Sequence, residues 1–106
     1  MTQEDVIINI TVDGDQIMVE QTPPGPVDKE TRIIWVCEQG YPFAVQFGWD
    51  SPLEETMYRN EPKSTVAEGV IMSDAAYGQF KYFVAVCVEG RLLTVDPDII
   101  VRRRRG

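Results

Sequence analysis

The 106 residues contain no histidine. That absence removes imidazole from every catalytic triad and metal site, and with it the usual general base near neutral pH. Cysteine is scarce, with Cys37 and Cys87 alone. Two thiols cannot build an all-cysteine tetrahedral zinc site in one chain. They could form one disulfide, which a domain of this size does not need in order to fold. No apolar run approaches the roughly 20 residues of a membrane span. The opening Met1-Thr2-Gln3-Glu4-Asp5 has no basic n-region, so the expected location is cytoplasmic unless a signal peptide has been removed.

Positive charge is also in short supply. Ten Lys and Arg stand against seventeen Asp and Glu, a net charge of −7. Four of the ten are consecutive: Arg102, Arg103, Arg104 and Arg105. Residues 1–101 therefore carry six basic and seventeen acidic groups, a net of −11. Such a body repels phosphate backbones, so nucleic acid is an unfavourable partner except through the arginine run. What is abundant is apolar sequence, 43% of the chain beside 25% charged residues. This composition belongs to a folded domain. We expect one domain over 1–101 and a basic tail over 102–106.

The apolar residues recur with a period of two, the signature of half-buried strands. Val6, Ile8, Ile10 and Val12 fall on alternate positions, with Asn9 and Thr11 between. Asp13-Gly14-Asp15 then turns the chain toward Ile17, Met18 and Val19, which predicts a hairpin. Thr22-Pro23-Pro24-Gly25-Pro26 stops the ladder. Thr31 to Cys37 is rich in β-branched residues. Tyr41, Phe43, Val45, Phe47 and Trp49 fall on alternate positions and predict a buried aromatic stripe. In Gln79 to Glu89, Phe80, Tyr82, Val84, Val86 and Val88 share one face, and Lys81, Phe83, Ala85 and Cys87 the other. Val66 to Met72 and Asp98 to Arg102 complete about seven strands, the count of a Greek-key β-sandwich. Residues 50–65 are a long loop or hold a short helix at Leu53 to Tyr58, with Ser51 as N-cap and Pro52 at the first helical position.

Three segments together resemble the cupredoxin-like family of β-sandwiches: Thr31-Arg32-Ile33-Ile34-Trp35-Val36, Tyr41-Pro42-Phe43-Ala44-Val45, and Gly78-Gln79-Phe80-Lys81-Tyr82 followed by Leu92 to Val101. The resemblance implies two packed sheets with a copper site at one end. The ligands are missing. The family's upstream histidine falls near Phe43, its thiolate near Val84 and its downstream histidine close to Cys87. A blue-copper site needs imidazoles and a thiolate, so copper chemistry is excluded and Phe43 is expected to fill that end. No cofactor is expected.

No enzyme motif emerges. Ser51, Ser64 and Ser73 have no candidate base beyond carboxylates or lysine, and the isolated glycines make no phosphate loop. Glu54, Glu55 and Asp74 could act as acid or base only if something raised their pKa, and an exposed loop would not. Cys37 and Cys87 read as small buried hydrophobes, with a disulfide as the alternative.

The expectation is a non-catalytic interaction module that binds a protein partner or dimerises. Phe83 and Lys81 on the non-core face, with Arg102 to Arg105, are the interface candidates. The alternative is a small-ligand or carbohydrate module using Tyr41, Trp49 and Tyr58 beside the long loop.

Overall fold

The computed structural model describes residues 5–102. Arg103, Arg104 and Arg105 therefore lie outside the described residues. Nine strands and no helix occur among the described residues. They are β1 (Val6–Asp13), β2 (Gln16–Thr22), β3 (Arg32–Val36), β4 (Phe43–Phe47), β5 (Met57–Arg59), β6 (Val66–Val70), β7 (Gly78–Val88), β8 (Arg91–Val95) and β9 (Asp98–Val101).

The first sheet runs β2-β1-β3-β6, with β1 parallel to β3 and the other neighbours antiparallel. The second runs β5-β4-β7-β8, with β9 also paired to β7. Alternation drives the packing. Every second side chain of β1, β3, β4 and β7 points between the sheets, where Ile8, Ile33, Trp35, Val45, Val84 and Val86 have 1% or less of their surface exposed. The all-β class and the packed pair of sheets follow the sequence pattern.

The hairpin forms as its turn residues predict. Asp13 pairs with Gln16, leaving Gly14 and Asp15 as a two-residue loop, and Gly14 takes a positive φ of 63° that glycine adopts without strain.

Strands β5 and β8 are additions to the expected pattern. β8 and β9 act as one return strand along β7. Val84 faces Val95 and Lys81 faces Asp98, so the register does not slip between them. Across the gap the Tyr82 amide donates to the Pro97 carbonyl at 3.0 Å. Pro97 lacks an N–H, so it breaks the strand assignment while its carbonyl keeps the ladder.

The segment 50–65 forms no helix. Ser51 does use its hydroxyl locally, accepting from the Leu53 amide at 3.2 Å and donating to the Glu55 carbonyl at 2.7 Å. Its side chain closes a turn instead of capping a helix. Leu53 is buried and bridges to Ile71, which draws the segment across to the end of β6. Trp49 also departs from the expected stripe. β4 ends at Phe47, and Trp49 is fully exposed beyond it, whereas Phe43, Val45 and Phe47 are buried.

Candidate functional site

The inner side of the second sheet meets an aromatic cluster built around Trp35. Its ring stacks on Tyr58 at 5.8 Å and meets Tyr82 and Phe47 edge-on at 5.9 and 6.3 Å. The Trp35 Nε1–H donates to the Tyr82 hydroxyl at 3.4 Å, giving a buried indole its one required partner. Burial pushes the Tyr82 phenol up to about 12, against that indole donor, with the field of Asp98 adding to the rise. Burial also raises Tyr58, partly offset by the Glu55 amide that donates to its oxygen at 3.0 Å. Gly69 of β6 lies under the same ring. A Cβ there would sit 2.8 Å from Tyr58 and 2.6 Å from Leu53. This cluster is structural packing, and at its edge Tyr58 and Gly69 border a surface hollow with Arg32, Glu54, Glu55 and Glu68.

The outer side of the second sheet is different. Cross-strand pairing lines up Met57, Gln46 and Phe83 in one row, then Arg59, Ala44, Ala85 and Thr94 in the next, then Cys87 with Leu92. Ala44 and Ala85 sit side by side in the middle of the second row, with Arg59 at one end and Leu92 standing beside Cys87 in the next. The result is a groove of about 520 Å³ with Ala44, Ala85 and Cys87 along its course, Leu92 at one side and Arg59 to Ser64 at the other. Phe83 is 61% exposed, Leu92 69% and Met57 50%. A cluster of large exposed side chains is uncommon on a monomer's surface and marks a contact site more often than scattered single residues do.

The wall of the groove is held by a residue that pattern reading missed. Asn60 accepts from the Phe43 amide at 2.9 Å and donates to the carbonyls of Ser64 and Tyr41 at 2.9 and 3.3 Å. An asparagine inside a polar stretch between prolines carries no periodic signal. Beyond it, the Ser64 amide donates to the Glu61 carbonyl at 2.9 Å, closing a turn with Pro62 and Lys63 at its centre. Lys63 has a φ of 70°. Proline followed by positive φ is the pattern of a type II turn, whose third position normally takes glycine.

Phe83 and Lys81 are exposed on this outer face, as alternation predicts. Arg102 does not extend the face. Its side chain pairs with Asp28 at 2.7 Å and its amide donates to the Val27 carbonyl at 2.9 Å. Of the three aromatics of the ligand-binding alternative, Trp49 is exposed, Tyr41 is half-buried against the core, and Tyr58 has one face on Trp35. Phe43 is buried. The thiols separate: Cys37 is buried and Cys87 exposed, both free. The expectation of two buried thiols thus fails for Cys87, because nothing within the described residues covers its side of β7.

Glu54, Glu55 and Asp74 are exposed. Among the described residues no group of three or more Cys, Asp or Glu side chains is placed to hold a metal ion, and no helix is long and apolar enough to cross a membrane. Compared with protein-family models and with curated proteins, the chain matches none.

Proposed function

We propose that the protein is a non-catalytic interaction module of cupredoxin-like, Greek-key architecture that works without copper. The strand order of the two sheets and the parallel β1–β3 pair support the architecture. Two free thiols support a reducing, cytoplasmic setting. One observation carries the functional reading: the outer face of the second sheet keeps Phe83, Leu92 and Met57 exposed and holds a groove that Leu92 borders. Exposed aromatic and methionine side chains are enriched at protein interfaces.

The test is affinity capture from the source lysate with the full chain, with Phe83→Ala, and with a version ending at Val101. The reading expects a specific protein retained by the full chain and by the shortened version, and lost with Phe83→Ala at an unchanged thermal midpoint. Retention by all three would move the contact off this face. Loss with the shortened version alone would move it to the arginine tail.

The exposed Trp49 favours a second reading, a carbohydrate or small-ligand platform. Titration of soluble oligosaccharides against Trp49 fluorescence tests it. Saturable quenching that disappears in Trp49→Phe would support the platform, and an unchanged spectrum would dismiss it.

A further inference from the structure

The described cations fall into two groups. Arg32, Arg91 and Arg102 are tied to Asp5, Asp15 and Asp28 in ion pairs, and the Lys29 ammonium lies 4.3 Å from the Tyr77 ring centroid. Arg59, Lys63 and Lys81 make no ion pair among the described residues. All three belong to the outer side of the second sheet. Arg59 and Lys63 line the groove, and Lys81 stands on β7. The carboxylates here are Glu61 on the groove wall, Asp98 opposite Lys81 in the ladder, and the exposed Asp96 opposite Phe83 between β8 and β9.

Over the whole face three cations balance three carboxylates, but the groove itself holds Arg59 and Lys63 against Glu61 alone, in contrast to a chain of net charge −7. The outer face of the first sheet has the other sign. Asp13, Glu20 and Glu68 lie there against Arg32 alone, which is already bound to Asp5. Complementary potential selects partners and suppresses wrong ones. The net charge of −7 opposes the close approach of a second copy, whereas a short acidic segment carries no such whole-body repulsion.

Resting on the interaction-module reading, we infer that the groove takes an extended acidic peptide segment of a partner protein, with apolar side chains over Ala44, Ala85 and Cys87 and a carboxylate between Arg59 and Lys63. The groove volume is in the range of ligand pockets. It is open on the sheet and runs from Arg59 and Lys63 across Ala44 and Ala85 to Leu92, which suits a chain running across the strands. Unpaired cations at the wall supply partner selection, and the small central residues supply room for apolar side chains.

The experiment is selection from a displayed library of random linear peptides on the full chain, followed by fluorescence titration of the selected peptides. The expected peptides carry Asp or Glu beside apolar residues. Their affinity should fall roughly tenfold or more in Arg59→Glu/Lys63→Glu, and should also fall between about 0.05 M and 0.5 M salt. Ala85→Arg, which fills the groove, should abolish it. Lys63→Gly serves as the fold-safe variant, because glycine accepts the positive φ at that position; it should weaken binding with no loss in thermal midpoint.

Neutral or basic peptides that bind in the groove, are lost with Ala85→Arg and ignore the charge reversal would overturn the acidic occupant and leave the interaction module standing. Peptides insensitive to both Ala85→Arg and Phe83→Ala, or no selected peptides at all, would overturn both. A dimer that reverts to monomer with Ala85→Arg would make a second copy the occupant.

Discussion

The two sides of β7 are drawn from the same eleven residues and behave as two materials. Tyr82, Val84, Val86 and Val88 are buried, while Lys81, Phe83 and Cys87 are exposed. The amino acids alone do not explain the contrast, since both sides carry an aromatic ring. Tyr82 lies between sheets within reach of the Trp35 indole. Phe83 has the same kind of ring one residue on, over a single layer. Position relative to the facing first sheet, and not side-chain type, decides which ring stabilises the fold and which is available for contact.

Substitution on the inner side should therefore give the largest effect. Trp35→Ala removes a fully buried side chain from the centre of the cluster. A loss of about 3–5 kcal/mol is expected, a large fraction of the ~5–15 kcal/mol that holds a domain together. Urea unfolding measures it, and a loss below about 1 kcal/mol would place the core elsewhere.

Alkaline pH probes the same side without a large cavity. The Tyr82 phenol is raised from 10.0 to about 12 in the folded chain. Above pH 10 the unfolded chain releases this proton first, so the stabilisation is complete below about pH 10 and lost progressively toward pH 12. The full difference corresponds to roughly 3 kcal/mol. Tyr82→Phe should flatten the fall of stability over that window. Part of the slope should persist through Tyr58, which is raised in the same sense. An unchanged slope in the variant would contradict the burial of this phenol.

Gly69→Ala should cost about 1–3 kcal/mol, since the new methyl collides with the Tyr58 ring that covers the edge of the core. A neutral result in thermal unfolding would mean that the ring can move aside. The smallest effect belongs to the outer side. Phe83→Ala should change stability by no more than about 0.5 kcal/mol. The thiols report the same division. Cys87 should be alkylated in the native protein and Cys37 only on unfolding. Equal rates would erase the distinction between the two sides.

Much of this architecture was legible in alternation. The strands β1, β4 and β7, their buried faces and the outward position of Phe83 all follow from a period of two. The misses have local causes. β5 is three residues long, too short to show a period. β8 continues into β9 through Pro97, and proline argues for a break even where the ladder persists. Trp49 extends the aromatic spacing on paper, but the strand stops at Phe47. Ser51 carries the right chemistry for a cap and applies it to a turn. The groove was the least legible element, because it depends on rows formed across four strands and on the Asn60 clamp. The burial of Cys87 was misjudged for a related reason. Alternation assigns a residue to a side but does not say whether anything lies over that side.

The position of β7 in the chain has a consequence for synthesis. β4 and β8 both pair with it, and it supplies inward side chains along most of the second sheet. On the ribosome, β1 and β2 can close as a hairpin early, but β4 has no central neighbour until Gly78–Val88 has emerged. Val27 waits longer still for its bridge to Val101. The apolar strands of the first half therefore leave the exit tunnel well before the layer that covers them. During that interval the nascent chain is the aggregation-prone form of this protein, and the acidic residues distributed through its first half are what keep such a chain apart from its neighbours.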